Sequence, residues 1–289
     1  MRASVRACVV AVVATFACAA RAAVPGGIAV IDVPPDAQAT YDGRPVFIVT
    51  KPKSVAIVGV GLDEKPGHRV LVVDSPSQGP KEIPFEVTPK SYPVQRLTLP
   101  PDKVNPPPEA MARIERESQL TQAQFAAYTP LAASPFPLRV PAAGPISSNF
   151  GLRRVLNGES KSPHAGLDVA APLGAPVHAP AAGRVSLVGD FYFTGNVVFI
   201  DHGGGMVSMM CHLSAVDVHD GDEVTPGQQI GRVGATGRAT GPHLHWAVSL
   251  NDERVDPSML LKLFQPRKVA AAPKSGTPSA TARPPAESH

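Results

Sequence analysis

The sequence predicts a mainly β protein with two separate β modules, and three observations carry the prediction. Residues 25–99 hold short β-branched runs separated by Pro, Gly and Asp at regular spacing. Residues 137–264 again read as strands and turns, with almost no helical periodicity and with Gly pairs and triplets that mark tight hairpins. Between them one stretch, Glu109 to Tyr128, lacks Gly and Pro altogether. The expected architecture is a small N-terminal β-sandwich, a linker helix and a C-terminal antiparallel β-sheet domain.

Residues 1–22 read as an export signal. Arg2 and Arg6 give a basic start, Ala7 to Cys18 is apolar, and Ala20-Arg21-Ala22 has the small-x-small form of a cleavage site. The apolar run is too short to span a bilayer, so no membrane span is expected after signal removal. Cys18 would suit a lipoprotein signal, but Thr15 stands where such signals usually carry Leu. The whole chain has a formal charge of +3, and residues 1–22 hold three arginines and no acid, so the mature chain is neutral. A neutral chain gives no electrostatic case for binding nucleic acid or an anionic membrane surface. Cys8 and Cys18 leave with the signal, and Cys211 then has no intrachain partner, which excludes a disulfide scaffold.

In the 25–99 module, runs at Ile28–Ile31, Val46–Val49, Val55–Val60 and Arg69–Val73 read as strands, with a turn at Asp42-Gly43. His68 falls in a Lys-Pro-Gly-His turn and reads as a solvated loop residue. Residues 100–136 form a linker. Its Leu99-Pro100-Pro101 and Pro106-Pro107-Pro108 borders are expected to be stiff and extended, and Pro108 suits a first helical position. The helix has a partial apolar stripe of Met111, Ile114, Leu120 and Phe125, which fits a brace lying against a domain. Within 137–264, strands are expected at 177–179, 183–188, 196–200, 206–210, 229–233 and 244–250. Residues 265–289, rich in Ala, Pro, Ser, Thr and Lys, read as a disordered tail.

The chemistry concentrates in the second module. His243 and His245 sit one residue apart after a Gly-Pro turn signal, and in a strand both would face one side. Two adjacent imidazoles fill a core poorly, because their ring nitrogens need partners when buried. Upstream, Ser162-Pro163-His164-Ala165-Gly166-Leu167-Asp168 places His164 and Asp168 four apart. Pro163, Gly166 and Pro172 exclude a helix, but in a strand positions i and i+4 also share a face. His164, Asp168 and one of the His243/His245 pair would give two imidazoles and one carboxylate. Three protein ligands with one open position is the pattern of a catalytic zinc. His212, after the apolar run Met206–Met210, could join them.

These motifs together resemble the lysostaphin/LytM-type zinc metallopeptidases, which cut peptide bonds in bacterial peptidoglycan. The resemblance covers roughly residues 146–257. It rests on Ser147-Ser148-Asn149-Phe150-Gly151-Leu152-Arg153, His164-x-x-x-Asp168, Ala171-Pro172-x-Gly174-x-Pro176-Val177, Gly195-Asn196 with Val198-x-Ile200-Asp201-His202, His212-Leu213-Ser214 and Gly241-Pro242-His243-Leu244-His245. It implies one zinc held by His164, Asp168 and His245, with His212 and His243 as catalytic histidines outside the ligand set. The sequence departs from the family at Met210, where Tyr is frequent, and at His178, which replaces a frequent aromatic; the loop Val155–Lys161 has no Tyr to assist an oxyanion. Cys211 reads as a buried small hydrophobe, and His202 and His219 as structural or solvated.

The resemblance implies an exported, periplasmic zinc endopeptidase whose partners are peptidoglycan stem peptides. The alternative is a non-catalytic relative that regulates cell-wall amidases, as members that have lost zinc ligands do; here all five positions are present.

Overall fold

The structure, a computed structural model, describes residues 22–50 and 53–263. The export signal apart from Ala22, and the tail expected at 265–289, lie outside the described residues. The N-terminal module contains β1 (Ile28–Asp32), β2 (Gln38–Tyr41), β3 (Arg44–Pro45), β4 (Phe47–Val49), β5 (Val55–Gly59), β6 (Gly67–Asp74) and β7 (Lys81–Val87). They form two sheets, ordered β3-β2-β6-β7 and β1-β5-β4. Asp42 and Gly43 both take positive φ between β2 and β3, the geometry a two-residue hairpin demands.

The outer sheet is solvated on one side. Along β6, Leu71 and Val73 are buried while Val70 and Val72 are exposed, a period-two pattern. The inner sheet has no solvated face, because every residue of β5 is buried. Ala29, Ile31, Ala56 and Val58 point into the core shared with β6 and β7. Ile28, Phe47, Val49, Val55 and Ile57 point the other way, into the core of the C-terminal domain. The side-chain amide of Asn251 closes this seam as a strand would. Its Oδ1 accepts from Gly59 N at 2.6 Å and its Nδ2 donates to Gly59 O at 3.1 Å.

After the module come β8 (Val94–Leu97), α1 (Pro101–Val104) and α2 (Pro108–Ala126). The segment expected to be a plain extended linker is more structured than that. Its Pro-rich start holds α1, a single helical turn, and β8, expected within the sandwich, leaves it to pair in parallel with a strand of the C-terminal domain, Arg153–Leu156. Asn157 continues the attachment through both its amide groups, to Leu99 N and Leu99 O at 2.9 Å each. Phe125 near the C-terminal end of α2 is buried against Phe199 and Ala110 near its start is also buried, whereas Met111 and Leu120 of the expected stripe are exposed. Arg113 and Glu117 dock the first half of the helix on Asp190 O and Tyr192 N. His68 lies at the start of β6 rather than in a turn, and is exposed.

The C-terminal domain comprises β9 (Ile146–Ser148), β10 (Arg153–Leu156), β11 (Glu159–Ser160), β12 (Leu167–Val169), β13 (Pro176–His178), β14 (Gly183–Phe191), β15 (Gly195–Asp201) and β16 (Met206–Val216). It ends with β17 (Glu223–Val224), β18 (Gln229–Val233), β19 (Leu244–Leu250), β20 (Glu253–Val255) and α3 (Pro257–Leu260). Its main sheet runs β17-β14-β15-β16-β19-β12-β9, all antiparallel, with β18 beside the end of β16. Gly203, Gly204 and Gly205 all adopt positive φ in the turn from β15 to β16. One face of the sheet carries Val198, Ile200, Met210 and Trp246 into the main core; the other carries Val197, Phe199, Met209 and Cys211 under Phe125 of α2.

His202 is a structural histidine inside this domain. Its Nδ1 donates to Ala182 O at 2.7 Å and its Nε2 lies 2.8 Å from Ser208 Oγ. Burial pushes its pKa down to about 4. The unfolded chain, with an ordinary histidine near 6.5, therefore binds more protons between pH 6.5 and 4, so stability falls as pH falls through that window. The loss reaches about 3 kcal/mol below pH 4. In urea unfolding at pH 7 and pH 4.5, His202→Phe should be less stable at both values but lose less between them than wild type. An unchanged difference would assign the acid sensitivity to other groups.

Candidate metal centre and catalytic groove

Asp168 sits on β12, which pairs antiparallel with β19 so that Asp168 stands directly opposite His245. His164 is not on the strand as expected. It lies in the extended loop ahead of β12, held by backbone bonds from His164 N to Leu152 O and from Gly151 N to His164 O. The loop needs Gly166, where a Cβ would come within 2.5 Å of His245 Cε1 and 2.7 Å of Trp246 O. His245 is the second residue of β19, and His243 precedes the strand in a bridge to Gly234.

The three side chains converge. His164 Nε2 lies 3.0 Å from Asp168 Oδ1 and 3.0 Å from His245 Nδ1, and His245 Nδ1 lies 2.8 Å from the same carboxylate oxygen. His164 Nδ1 is 2.8 Å from the carbonyl of Asn149, which can only accept, so Nδ1 carries the proton and Nε2 presents a lone pair. That lone pair faces a carboxylate oxygen and a second imidazole nitrogen, an arrangement that calls for a cation between them. Edges of 2.8–3.0 Å are slightly shorter than the roughly 3.3 Å edge of a tetrahedron with bonds of about 2.0 Å, so a zinc-sized ion fits with small outward shifts. Burial alone would raise Asp168, but its imidazole neighbours His164 and His245 outweigh it and hold the carboxyl far below the usual carboxylate range. Burial also lowers His245, with Asp168 opposing the shift.

His212 reaches the same place by a different local device. The first part of β16, Met206–Cys211, pairs with β19, whereas Leu213–Val216 pairs with β18. His212 sits at the change of partner with φ of 64°, inside an irregularity in the pairing with β15. Its Nδ1 donates to Thr236 O at 2.9 Å, and His243 Nδ1 donates to Gly241 O at 2.9 Å. Both rings therefore present Nε2. Their centroids are 4.8 Å apart, and that of His212 is 6.1 Å from that of His245. Burial, helped by the neighbouring His245 and His243, pushes His212 down to about 3, which keeps it neutral at ordinary pH.

The Gly195-Asn196 motif supports this bulge. Gly195 has a φ of 61° and lies against Thr236, whose Oγ1 accepts from Asn196 N at 3.0 Å; Asn196 Nδ2 donates to Leu213 O at 2.9 Å. Cys211 faces the opposite side of the sheet, fully buried and free, and burial raises its thiol pKa. His219 is exposed on the surface beside Asp222. All five predicted site residues thus come together except that only Asp168, His212 and His245 lie within strands.

Asp168, His212, His243 and His245 line a groove of about 370 Å³. Gln95, Leu97 and Leu99 from the end of the N-terminal segment form one wall, and Arg154, Phe193, Thr194 and Arg238 contribute to the others. Sequence reasoning used Gly166 only to exclude a helix and did not single out Thr236 or the two arginines. A buried donor triangle beside two oriented imidazoles in an open groove is the site of a metal-dependent hydrolase.

Comparison with known proteins narrows this. The profile of peptidase family M23 matches residues 162–257, and that of the peptidase family M23 N-terminal domain matches residues 21–90. The crystal structure of a Pseudomonas aeruginosa protein assigned to peptidase M23 is 43% identical, with a TM-score of 0.68 over 82% of this chain and 94% of that one. The chain belongs to peptidase family M23. It is similar to the DD-carboxypeptidase/endopeptidase Mpg of Neisseria meningitidis, 43% identical over 39% of this chain and 26% of that protein. The peptidoglycan DD-endopeptidase ShyA of Vibrio cholerae is 40% identical over 38% of this chain and 26% of that protein. These matches span about a quarter of the length of the curated relatives.

Proposed function

We propose that this chain is an exported, zinc-dependent endopeptidase that hydrolyses the peptide cross-links of bacterial peptidoglycan in the periplasm. The observation that supports it most is the triangle of His164 Nε2, Asp168 Oδ1 and His245 Nδ1 set beside His212 and His243. Those three residues would hold the zinc, and when bound it would polarise the scissile carbonyl and acidify a water. The export signal read in residues 1–22 supports the compartment, and no helix among the described residues is long and apolar enough to cross a membrane. The named activities of Mpg and ShyA support a D,D cross-link as substrate, and the family resemblance suggests the D-alanyl–diaminopimelate bond if the host is Gram-negative.

The chain's own residues handle protons. With each Nδ1–H held by a backbone carbonyl, His212 and His243 enter the reaction as acceptors through Nε2. One takes the proton of the attacking water; once protonated, the same ring is a donor that can neutralise the oxyanion or deliver the proton to the departing amine. The low pKa of His212 favours rapid return of any proton it accepts.

Purified residues 23–289 should split cross-linked muropeptides in isolated sacculi, contain about one zinc per chain, and lose activity on chelation or in His245→Ala. Mass analysis of the products would identify the bond. Undiminished hydrolysis by His245→Ala would remove the assignment, and a protein without stoichiometric zinc would fit the non-catalytic amidase regulator instead.

A further inference from the structure

Two arginines in the groove have no hydrogen-bond acceptor for their guanidinium groups. Several other arginines are engaged: Arg69 pairs with Glu64, Arg113 with Glu117, and Arg44 with Asp252 and Glu253. Arg154 and Arg238 differ. Among the described residues neither guanidinium donates a hydrogen bond, and the Nε of Arg154 is buried without a partner. The nearest anion to Arg154 is Asp168 Oδ2, 3.8 Å from Nη2, on a carboxylate whose other oxygen is already committed to His164 and His245. Arg238 lies 4.2 Å over the ring of Phe193, which fixes the plane of its guanidinium and leaves the edge donors free.

The two cations also oppose each other. Burial lowers the pKa of Arg238, and the charge of Arg154 lowers it further. Half-buried like charges with idle donors are costly without an anion between them. Gln95 Oε1 and Thr194 Oγ1, further atoms on the groove wall, are buried without partners as well. The groove is thus furnished with more polar capacity than the protein itself uses.

We propose that Arg154 and Arg238 form a carboxylate subsite that reads a free carboxylate of the substrate next to the scissile bond. The inference rests on the peptidoglycan reading and specifies its substrate. Arg154 Nη2 lies 3.8 Å from Asp168 Oδ2, on a residue of the donor triangle, so an anion it binds lies beside the reacting centre. In a D,D cross-link the leaving diaminopimelate centre bears a carboxylate on the carbon that carries the scissile nitrogen, and a planar guanidinium matches it with two parallel hydrogen bonds. Amidation of that carboxylate would remove the charge and one acceptor, leaving the two cations unmatched.

The test compares two synthetic cross-linked peptides, one with this carboxylate free and one with it amidated, on the zinc-loaded mature chain. The free acid should be cleaved with a kcat/KM at least tenfold higher. Arg238→Gln should lose that preference by slowing the acid alone, and Arg238→Lys should recover part of it. Equal rates on the two peptides in wild type, or an equal fall on both in Arg238→Gln, would overturn the subsite. Calorimetric binding of both peptides to His245→Ala keeps the two readings separate. Tighter, Arg238-dependent binding of the acid without any turnover by wild type would refute hydrolysis and retain the subsite; turnover without preference would do the reverse.

Discussion

Asp168→Asn should abolish zinc binding and lower kcat/KM on cross-linked peptides by at least about a thousandfold, roughly 4 kcal/mol of transition-state stabilisation. The substitution keeps the shape of the side chain and removes its charge. In wild type, Oδ1 faces His164 Nε2 at 3.0 Å and His245 Nδ1 at 2.8 Å, and a cation held among the three would satisfy all of them. An Asn amide can instead donate a hydrogen to His164 Nε2, so the variant satisfies the triangle without metal. The effect on stability therefore changes sign with conditions. In excess chelator the variant should melt at or above the wild-type temperature. With zinc at a hundred times its dissociation constant, wild type should gain about 2.7 kcal/mol and the variant nothing. Thermal unfolding with and without zinc checks both halves, and a zinc-dependent rise in the variant would exclude Asp168 from the ligand set.

Gly166→Ala should weaken zinc affinity about 10- to 100-fold while leaving every donor atom in the sequence unchanged. The added Cβ would meet His245 Cε1 at 2.5 Å, Nε2 at 2.6 Å and the backbone oxygen of Trp246 at 2.7 Å. The backbone contact cannot yield cheaply, because Trp246 is paired with Leu167 on one side and Met210 on the other. The imidazole has to move, and with it Nδ1 leaves the triangle. Competition with a chelator of known affinity measures the shift, and circular dichroism should remain that of wild type. Unchanged affinity would show that the loop, rather than the ring, absorbs the methyl.

What could be read from the sequence followed strict local periodicities. The two-residue repeat places His243 and His245 on one side, the Asp42-Gly43 and Gly203–Gly205 turns announce their hairpins, and the Gly/Pro-free stretch announces α2. The conformation of His212 was hidden, since a histidine at positive φ has no sequence signature and arises where β16 changes partners. The parallel pairing of β8 with β10 was hidden too, because it joins segments about sixty residues apart and no turn sets its register. Arg154 and Arg238 look ordinary in a sequence; what distinguishes them is a place in the groove wall without hydrogen-bond acceptors, which only the fold reveals. One clue was present and misassigned. The unbroken apolar run Val55–Val60 signals burial on both faces, and a free-standing sandwich would have asked for alternation.

That doubly buried sheet makes the two modules a single hereditary unit. The side chains of β1, β4 and β5 that fill the catalytic domain are interleaved, residue by residue, with those that fill the sandwich. Recombination anywhere in these strands would hand each descendant one matched core and one mismatched core. A substitution that improves packing for one side has to be tolerated by the neighbouring residues that face the other. In this chain the N-terminal module is part of the interior on which the catalytic groove is built.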